Sequence, residues 1–157
     1  MNQNPAQNQL SPKDRLWQKI KSGKGVETDF YTYSFVVASL AAAASATSTI
    51  SVQANAAFVI VKLAVMADLA GALQTDSSRV IPLVNVSIND SGSGRNLQNT
   101  PVPLGNIAGS AQLPFVMPQQ RILMPSSSVQ ALFTNYSAAS TYLNLTLTLI
   151  GYQVFEY

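Results

Sequence analysis

The stretch TYLNLTLTLIGYQVF, residues 141–155, carries the strongest secondary-structure signal in the chain. Leucines at every second position from Leu143 to Leu149 alternate with Asn and Thr, the period of a β-strand with one face on a core. Beyond Gly151 the apolar positions change parity, because Tyr152 and Val154 continue a series that begins at Ile150. We interpret Gly151 as a β-bulge that turns the strand end toward a different layer.

Shorter alternating segments precede this strand, and turn residues separate them. The segments that read as strands are 31–37, 49–53, 58–66, 84–89, 121–125 and 128–135. Strict alternation in 58–66 places Val61 and Leu63 on one face and Ile60 and Lys62 on the other. Since both faces are apolar, this strand needs a second layer or another subunit over it.

The segments that connect the predicted strands indicate the fold class. Prolines and glycines in residues 97–120 predict extended loop with brief strands and no helix. About eight strands and no second helix predict an all-β fold, a two-sheet antiparallel sandwich of jelly-roll kind, with an immunoglobulin-like sandwich as the alternative. With 157 residues the chain fits one compact unit, which we divide into an N-terminal arm, residues 1–27, and a sandwich domain, residues 28–157.

The N-terminal arm contains a short amphipathic helix. Residues 1–10 are rich in Asn and Gln and read as a tail. Ser11 then supplies a cap, Pro12 suits the first helical position, and Gly23 or Gly25 ends the helix. A helix of about ten residues is marginal alone in water, so its apolar side must dock either on its own domain or on a neighbouring chain.

Charge is scarce and uneven. Charged residues make up 10% of the chain, against roughly 25% in typical domains. Residues 1–25 hold five basic residues against Asp14, a net charge of +4, whereas the four basic and six acidic residues of 26–157 give −2. A surface with so little charge suits permanent burial in an assembly.

The composition argues against an enzyme. The chain has no Cys and no His, which excludes disulfides and thiolate chemistry and removes the commonest acid–base side chain and metal ligand. Ser91–Arg95 lacks phosphate-loop spacing, and Lys62 reads as a snorkelling side chain rather than a nucleophile. Oxygen ligands for Ca²⁺ could come only from loop positions with no dense pattern, namely Asp68, Asp76, Asn89 and Asp90.

We therefore expect no enzymatic activity, no cofactor and no metal. The apolar run at 35–46 is too short to span a membrane and starts too late for a signal peptide. The basic arm beside Trp17 would give nucleic acid at most a weak, salt-sensitive contact, and the body offers no basic face, so nucleic acid is not an expected partner.

LPFVMPQQRILMPSSSVQALFTNYS, residues 113–137, followed by residues 141–155, resembles small structural proteins of tailed-bacteriophage virions. The elements that carry the resemblance are Pro114-Phe115, Pro118, Arg121, Pro125, the serines 126–128, Phe133-Thr134-Asn135 and the leucine series into Gly151. The resemblance implies a jelly-roll decoration, or cement, protein on the outer capsid surface of the virion. Its partners would be the major capsid protein and further copies of this chain, as a dimer or trimer, with no small-molecule substrate and no membrane.

The arm is our candidate anchor for such a partner. Large apolar side chains usually dominate an interface, and basic ones would steer the arm to an acidic surface. The predicted partner-binding residues are Leu16, Trp17, Ile20, Lys13, Arg15, Lys19 and Lys21. Two other hypotheses stay open: another virion component, such as a collar, head-fibre or tail protein, and a carbohydrate-binding or hydrolytic jelly roll.

Overall fold

A computed structural model describes residues 10–71 and 80–156. Its elements are α1 (Pro12–Ser22), β1 (Val26–Leu40), β2 (Ser45–Ser51), β3 (Ala57–Leu69), β4 (Val84–Asp90), β5 (Arg95–Asn96), β6 (Val102–Pro103), α2 (Leu104–Ile107), β7 (Phe115–Leu123), β8 (Ser128–Asn135) and β9 (Tyr142–Glu156). Nearly all of the predicted tail, residues 1–10, lies outside the described residues, as does Asp76.

The strands form two antiparallel sheets packed face to face. The β1 sheet has the order β1-β9-β3-β7, and the β2 sheet has the order β2-β8-β4-β5, with β6 also paired to β4. The long strands pass alternately from one sheet to the other along the chain, which is how a jelly roll is wound. The predicted all-β, two-sheet sandwich of jelly-roll kind is confirmed.

The core between the sheets follows the alternation read from the sequence. Leu145, Leu147 and Leu149 are fully buried. Leu143 departs from the series and is half-buried, because Asn144 has a φ of 51° and the β3–β9 register shifts beside it. The chain therefore turns Tyr142, rather than Leu143, into the core.

The bulge predicted at Gly151 is wrong, although the predicted change of layer is correct. Gly151 pairs with Tyr31 on one side and with Ile60 on the other, and the β1–β9 register is unbroken there. Val154 is buried on the opposite face from the leucines because α1 covers that face at this end of the sheet. Gly151 is needed for a different reason: a Cβ atom there would lie 1.8 Å from the carbonyl oxygen of Val59.

The extra residue lies in β3 instead. The register of β3 shifts between Ile60 and Lys62, so Val61 is the additional residue. Leu63 consequently faces the inter-sheet core with Phe58 and Ile60, and the strict alternation predicted for 58–66 fails beyond the bulge. The predicted second layer over this strand is α1.

Two boundaries differ from the sequence prediction. The prediction of no helix in 97–120 is wrong, because Leu104–Ile107 forms a single helical turn after Pro103, with the Leu104 side chain buried in the core. Strand β1 also begins at Val26, earlier than the alternating pattern from Tyr31, because its polar first residues pair with the end of β9.

Candidate functional site

Helix α1 begins and ends as the sequence predicts. The Asp14 N–H donates to Ser11 Oγ (3.2 Å), and the Ser11 hydroxyl donates to Asp14 Oδ2 (2.6 Å). Pro12 occupies the first turn, and Gly23 closes the helix at a φ of 64°, donating its N–H to the carbonyls of Lys19 and Ile20.

The apolar side of α1 packs on its own domain. Leu16 is 2% exposed and lies on the outer face of the β1 sheet. Trp17 and Ile20 are half-buried beside it. The buried residues of the sheet that form this contact are Ala57, Val59, Ile122 and Val154. Of the two docking alternatives, the structure adopts the intramolecular one, in which Leu16 is buried against its own sheet.

The basic residues of α1 have three kinds of surroundings. Arg15 and Lys21 are exposed. Lys19 Nζ lies 3.1 Å from Glu156 Oε1, which joins the helix to the end of β9. Lys13 instead turns toward the far edge of the β1 sheet, where it meets basic residues of the body.

Those residues surround a cavity of about 520 Å³, which we call the basic cleft. It lies between the first turns of α1, the segment around β5, and β7. The register of β7 against β3 jumps from Arg121 to Val116, so residues 117–120 loop out and form one wall. The residues that line the cleft are Lys13, Asp14, Trp17, Leu63, Arg95, Leu97, Gln98, Ile107, Phe115, Met117, Gln119, Gln120 and Arg121, three of them basic and one acidic.

A buried carboxylate holds one cation of the basic cleft in place. Asp90 is 1% exposed, and its Oδ2 lies 3.7 Å from Nη2 of Arg121. The Gly92 N–H (3.0 Å) and the Ser93 hydroxyl (2.6 Å) also donate to Asp90. Arg121 Nη2 donates in turn to Ser93 Oγ at 3.2 Å. The guanidinium is thus fixed before any ligand arrives.

The cleft carries more positive charge than its acids balance. Partial burial, followed by the charge of Arg121, lowers the pKa of Lys13 from its usual 10.5. The charge of Arg95 adds to this effect, while Asp90 and Asp14 oppose it. Arg121 Nε is buried and has no hydrogen-bond partner among the described residues. Chemically, this arrangement favours an anionic group, such as a carboxylate, seated beside the two aromatic side chains Trp17 and Phe115.

Sequence reasoning missed this site. It considered the body alone, which offers no basic face by composition, whereas folding brings Arg95 and Arg121 of the body beside Lys13 of the arm. Each of the two arginines is isolated in the sequence, so only the fold shows that they are neighbours. Arg121 is one of the residues that carry the resemblance to virion proteins, but that resemblance assigns it no role.

The oxygen-bearing positions considered for Ca²⁺ are placed differently from the prediction. Asp68 and Asp90 lie in strands rather than loops, and both are buried. Asn144 Nδ2 donates to Asp68 Oδ2 at 3.0 Å. No group of three or more acidic side chains that could hold a metal ion occurs within residues 10–71 and 80–156.

Comparison with known proteins adds no relative. No protein-family model matches the chain, and no curated protein matches its sequence. None of the helices in the described part of the chain is long and apolar enough to cross a membrane.

Proposed function

We propose that this chain is a structural virion protein that binds the outer surface of a capsid and stabilises the particle, as a decoration or cement protein. It would act without catalysis and without a cofactor, through contacts with the major capsid protein and with further copies of itself. The observation that carries the proposal is the basic cleft, which joins the arm to the body on an otherwise charge-poor chain.

The basic cleft supports binding to an acidic protein surface. Lys13 and Arg121 are partly desolvated and close together, so an incoming carboxylate relieves their repulsion while gaining charge-assisted hydrogen bonds. Arg15 and Lys21 on the exposed side of α1 extend the positive charge beyond the cleft. Attraction of this kind raises association rates and orients the partner.

The remaining surface supports burial in an assembly. Ile81 and Leu113 are each 80% exposed, and Phe30 is 77% exposed. Isolated exposed apolar residues are common, but here they occur on a chain with 10% charged residues. A surface with few charges costs little to desolvate. Together with exposed apolar side chains, this is typical of a surface that is permanently buried against other subunits.

The position of α1 changes the role proposed for the arm. Leu16 contributes to the stability of the chain itself, since it is buried against its own sheet. Trp17 remains a candidate anchor because it lines the basic cleft and is only half-buried. The partner contact would therefore be made by the cleft and the exposed basic side of α1, not by an arm reaching across to a neighbour.

A second candidate function uses the same cleft. Trp17 and Phe115 offer aromatic faces, and Gln98, Gln119 and Gln120 offer amides, which together suit an acidic sugar. Saturable binding on a glycan array, lost when Trp17 is replaced by Ala, would favour a carbohydrate-binding jelly roll over a capsid-binding one.

Immunolabelling of virions from the source of the sequence tests the location of the protein. We expect labels distributed over the capsid surface. Labels confined to the collar or tail would assign the chain to another virion component, and virions without the protein would overturn the structural proposal.

Co-sedimentation with particles stripped of the protein tests the basic cleft. Reversing charge in Lys13→Glu or Arg95→Glu should weaken attachment at least about tenfold, most strongly at low salt. Lys24→Glu is the matched control, because Lys24 is exposed, basic and outside the cleft. Equal attachment of all three variants would refute the role of the cleft.

A further inference from the structure

The edges of the two sheets are not equally protected. An edge strand exposes a row of unpaired backbone groups, and natural proteins guard such edges with short strands, prolines, bulges or charges. The edges of the β1 sheet are β1 and β7; those of the β2 sheet are β2 on one side and the short strands β5 and β6 on the other.

The β7 edge and the edge formed by β5 and β6 are protected, whereas neither β2 nor β1 contains a proline or a bulge. Strand β7 has Pro118 inside its register break, and beyond it the Gly109 N–H and carbonyl pair with Leu63 and Val65 of β3. Strands β5 and β6 have two residues each. Strand β2 has seven residues, none aromatic or charged. Strand β1 has fifteen residues, with no proline and no positive φ.

The free backbone groups of β1 can be identified. The Val36 N–H donates to Ser48 Oγ (3.1 Å), so it points away from β9. Because backbone groups alternate sides along a strand, those of Thr28, Phe30, Thr32 and Ser34 point the same way. Within the described part of the chain, no backbone–backbone hydrogen bond joins residues 28–34 to anything other than β9.

The side chains beside this edge favour pairing. Phe30 is the most exposed aromatic residue described, and it stands on the outer face next to exposed Thr28, Thr32 and Ser34. No charged residue follows Asp29 in β1. The free segment, residues 28–34, thus carries a single charge, Asp29, near its start, and the Ser48 contact lies beyond its other end.

The geometry points to a second copy of this chain as the occupant, with the two β1 strands pairing antiparallel about a two-fold axis at Tyr31. The free segment, residues 28–34, is centred on Tyr31. Such pairing places Phe30 opposite Thr32 of the second copy and joins the two four-stranded β1 sheets into one.

The positions of the charged and aromatic side chains favour the register with the two-fold axis at Tyr31. Glu27 and Asp29 of each copy would face the uncharged half of the other strand, whereas an axis nearer Thr28 would bring the acids together. The two Phe30 side chains become diagonal neighbours on the outer face, within reach of each other. This pairing does not depend on capsid binding, since the basic cleft lies at the opposite edge of the sheet, beside β7.

Sedimentation velocity of the full chain tests the pairing. We expect a dimer whose dissociation constant rises at least about tenfold in Phe30→Lys, which removes the aromatic contact and sets like charges diagonally. Leu113→Lys is the matched control, because it makes the same kind of change at an equally exposed position away from β1. A chain that stays monomeric up to about 100 μM would overturn the proposal, as would an unchanged dimer in Phe30→Lys.

The absence of cysteine allows a positional check. Thr32→Cys, the only thiol in its chain, should give covalent dimers with a short thiol-reactive cross-linker, because the two Cβ atoms at position 32 would be diagonal neighbours, about 7–8 Å apart. Thr49→Cys, on the edge of β2, should not. Dimers cross-linked through position 49 alone would place the interface elsewhere. Failure here would leave attachment to capsids through the basic cleft unaffected, so the two proposals can fail separately.

Discussion

Gly151 lies where three strands approach closely, opposite Tyr31 of β1 and Ile60 of β3. A side chain at this position would meet the Val59 carbonyl oxygen at 1.8 Å and its carbon at 2.9 Å. Those atoms belong to the backbone of β3, so no change of rotamer relieves the contact. Glycine here is a requirement of strand spacing rather than of backbone conformation.

Gly151→Ala should therefore lower the free energy of unfolding by about 3 kcal/mol, because β3 and β9 must separate to admit the methyl group. Urea denaturation followed by circular dichroism measures the change. Gly94→Asn is the control: its φ of 63° suits Asn and nothing lies within 4 Å of the added Cβ. Equal stability of the two variants would contradict the close approach.

Lys13 makes the stability of the folded chain depend on pH. Burial and the neighbouring Arg121 lower its pKa, so the folded chain holds this proton less tightly than the unfolded chain does. The charged form then costs stability below the lowered pKa, and this cost disappears as pH rises from there toward 10.5. While no anion is bound, the charged Lys13 side chain therefore slightly lowers the free energy of unfolding at neutral pH.

Lys13→Gln should be slightly more stable than the natural chain at pH 7, by below about 0.5 kcal/mol because the side chain is mostly solvated, or about 1–2 °C in Tm. The gain should shrink toward pH 10.5. Thermal melts at both pH values measure this, with Lys24→Gln as the exposed control. A less stable Lys13→Gln would show that repulsion does not dominate at this position.

Helix α1 covers the outer face of the β1 sheet at one end. Its apolar side supplies the second layer that β3 and the end of β9 require, and the Lys19–Glu156 ion pair fixes its far end. Removing the whole arm would leave Val59, Ile122 and Val154 exposed to water. The arm is therefore part of the folded unit.

Leu16→Ala should lower the free energy of unfolding by about 2–4 kcal/mol, the usual cost of emptying a buried leucine site. Arg15→Ala, one residue earlier and exposed, should change it by less than about 0.5 kcal/mol. Chemical denaturation at two protein concentrations provides the measurement. A Leu16→Ala effect that appears only at high concentration would mean that the helix docks on a neighbouring chain instead.

At the scale of the whole molecule, tryptophan fluorescence reports on the helical layer separately from the sheets. The only tryptophan, Trp17, lies in α1, while far-ultraviolet circular dichroism reports the strands. Because α1 packs on the β1 sheet and that sheet packs on the β2 sheet, the layers should unfold together.

Tryptophan fluorescence and circular dichroism should accordingly give coincident thermal transitions. A fluorescence transition well below the loss of β-structure would show that the arm undocks on its own and contradict a single cooperative unit. Trp17→Phe, followed by circular dichroism alone, checks that the reporter itself does not set the midpoint.

The sequence predicted the parts of this molecule that depend on local pattern. The leucine alternation identified β9, and Ser11, Pro12 and Gly23 bounded α1, because these signals act through backbone geometry close by in the chain. The Val61 bulge left no signature, since its cause is the pairing of β3 with two neighbours.

Features that are formed by residues far apart in the sequence could not be predicted from local sequence pattern. Arg95 and Arg121 approach Lys13 only once the sheets have formed, and the loop at residues 117–120 exists because of a register break. Pro118 was the one visible hint that β7 is interrupted. The same limitation explains why α1 could be assigned an apolar side but not the surface that it covers.

The place of β9 between β1 and β3 has a consequence for synthesis in the cell. Both neighbours leave the ribosome well before residues 142–156. Until that segment emerges, the nascent chain displays an unpaired β1 and a β3 that can pair only with β7, and it lacks the leucines that fill its centre. The β1 sheet can therefore be completed only after residues 142–156 have been synthesised. A translation product that stops short of residue 142 would be a substrate for chaperones and proteases rather than a smaller working protein.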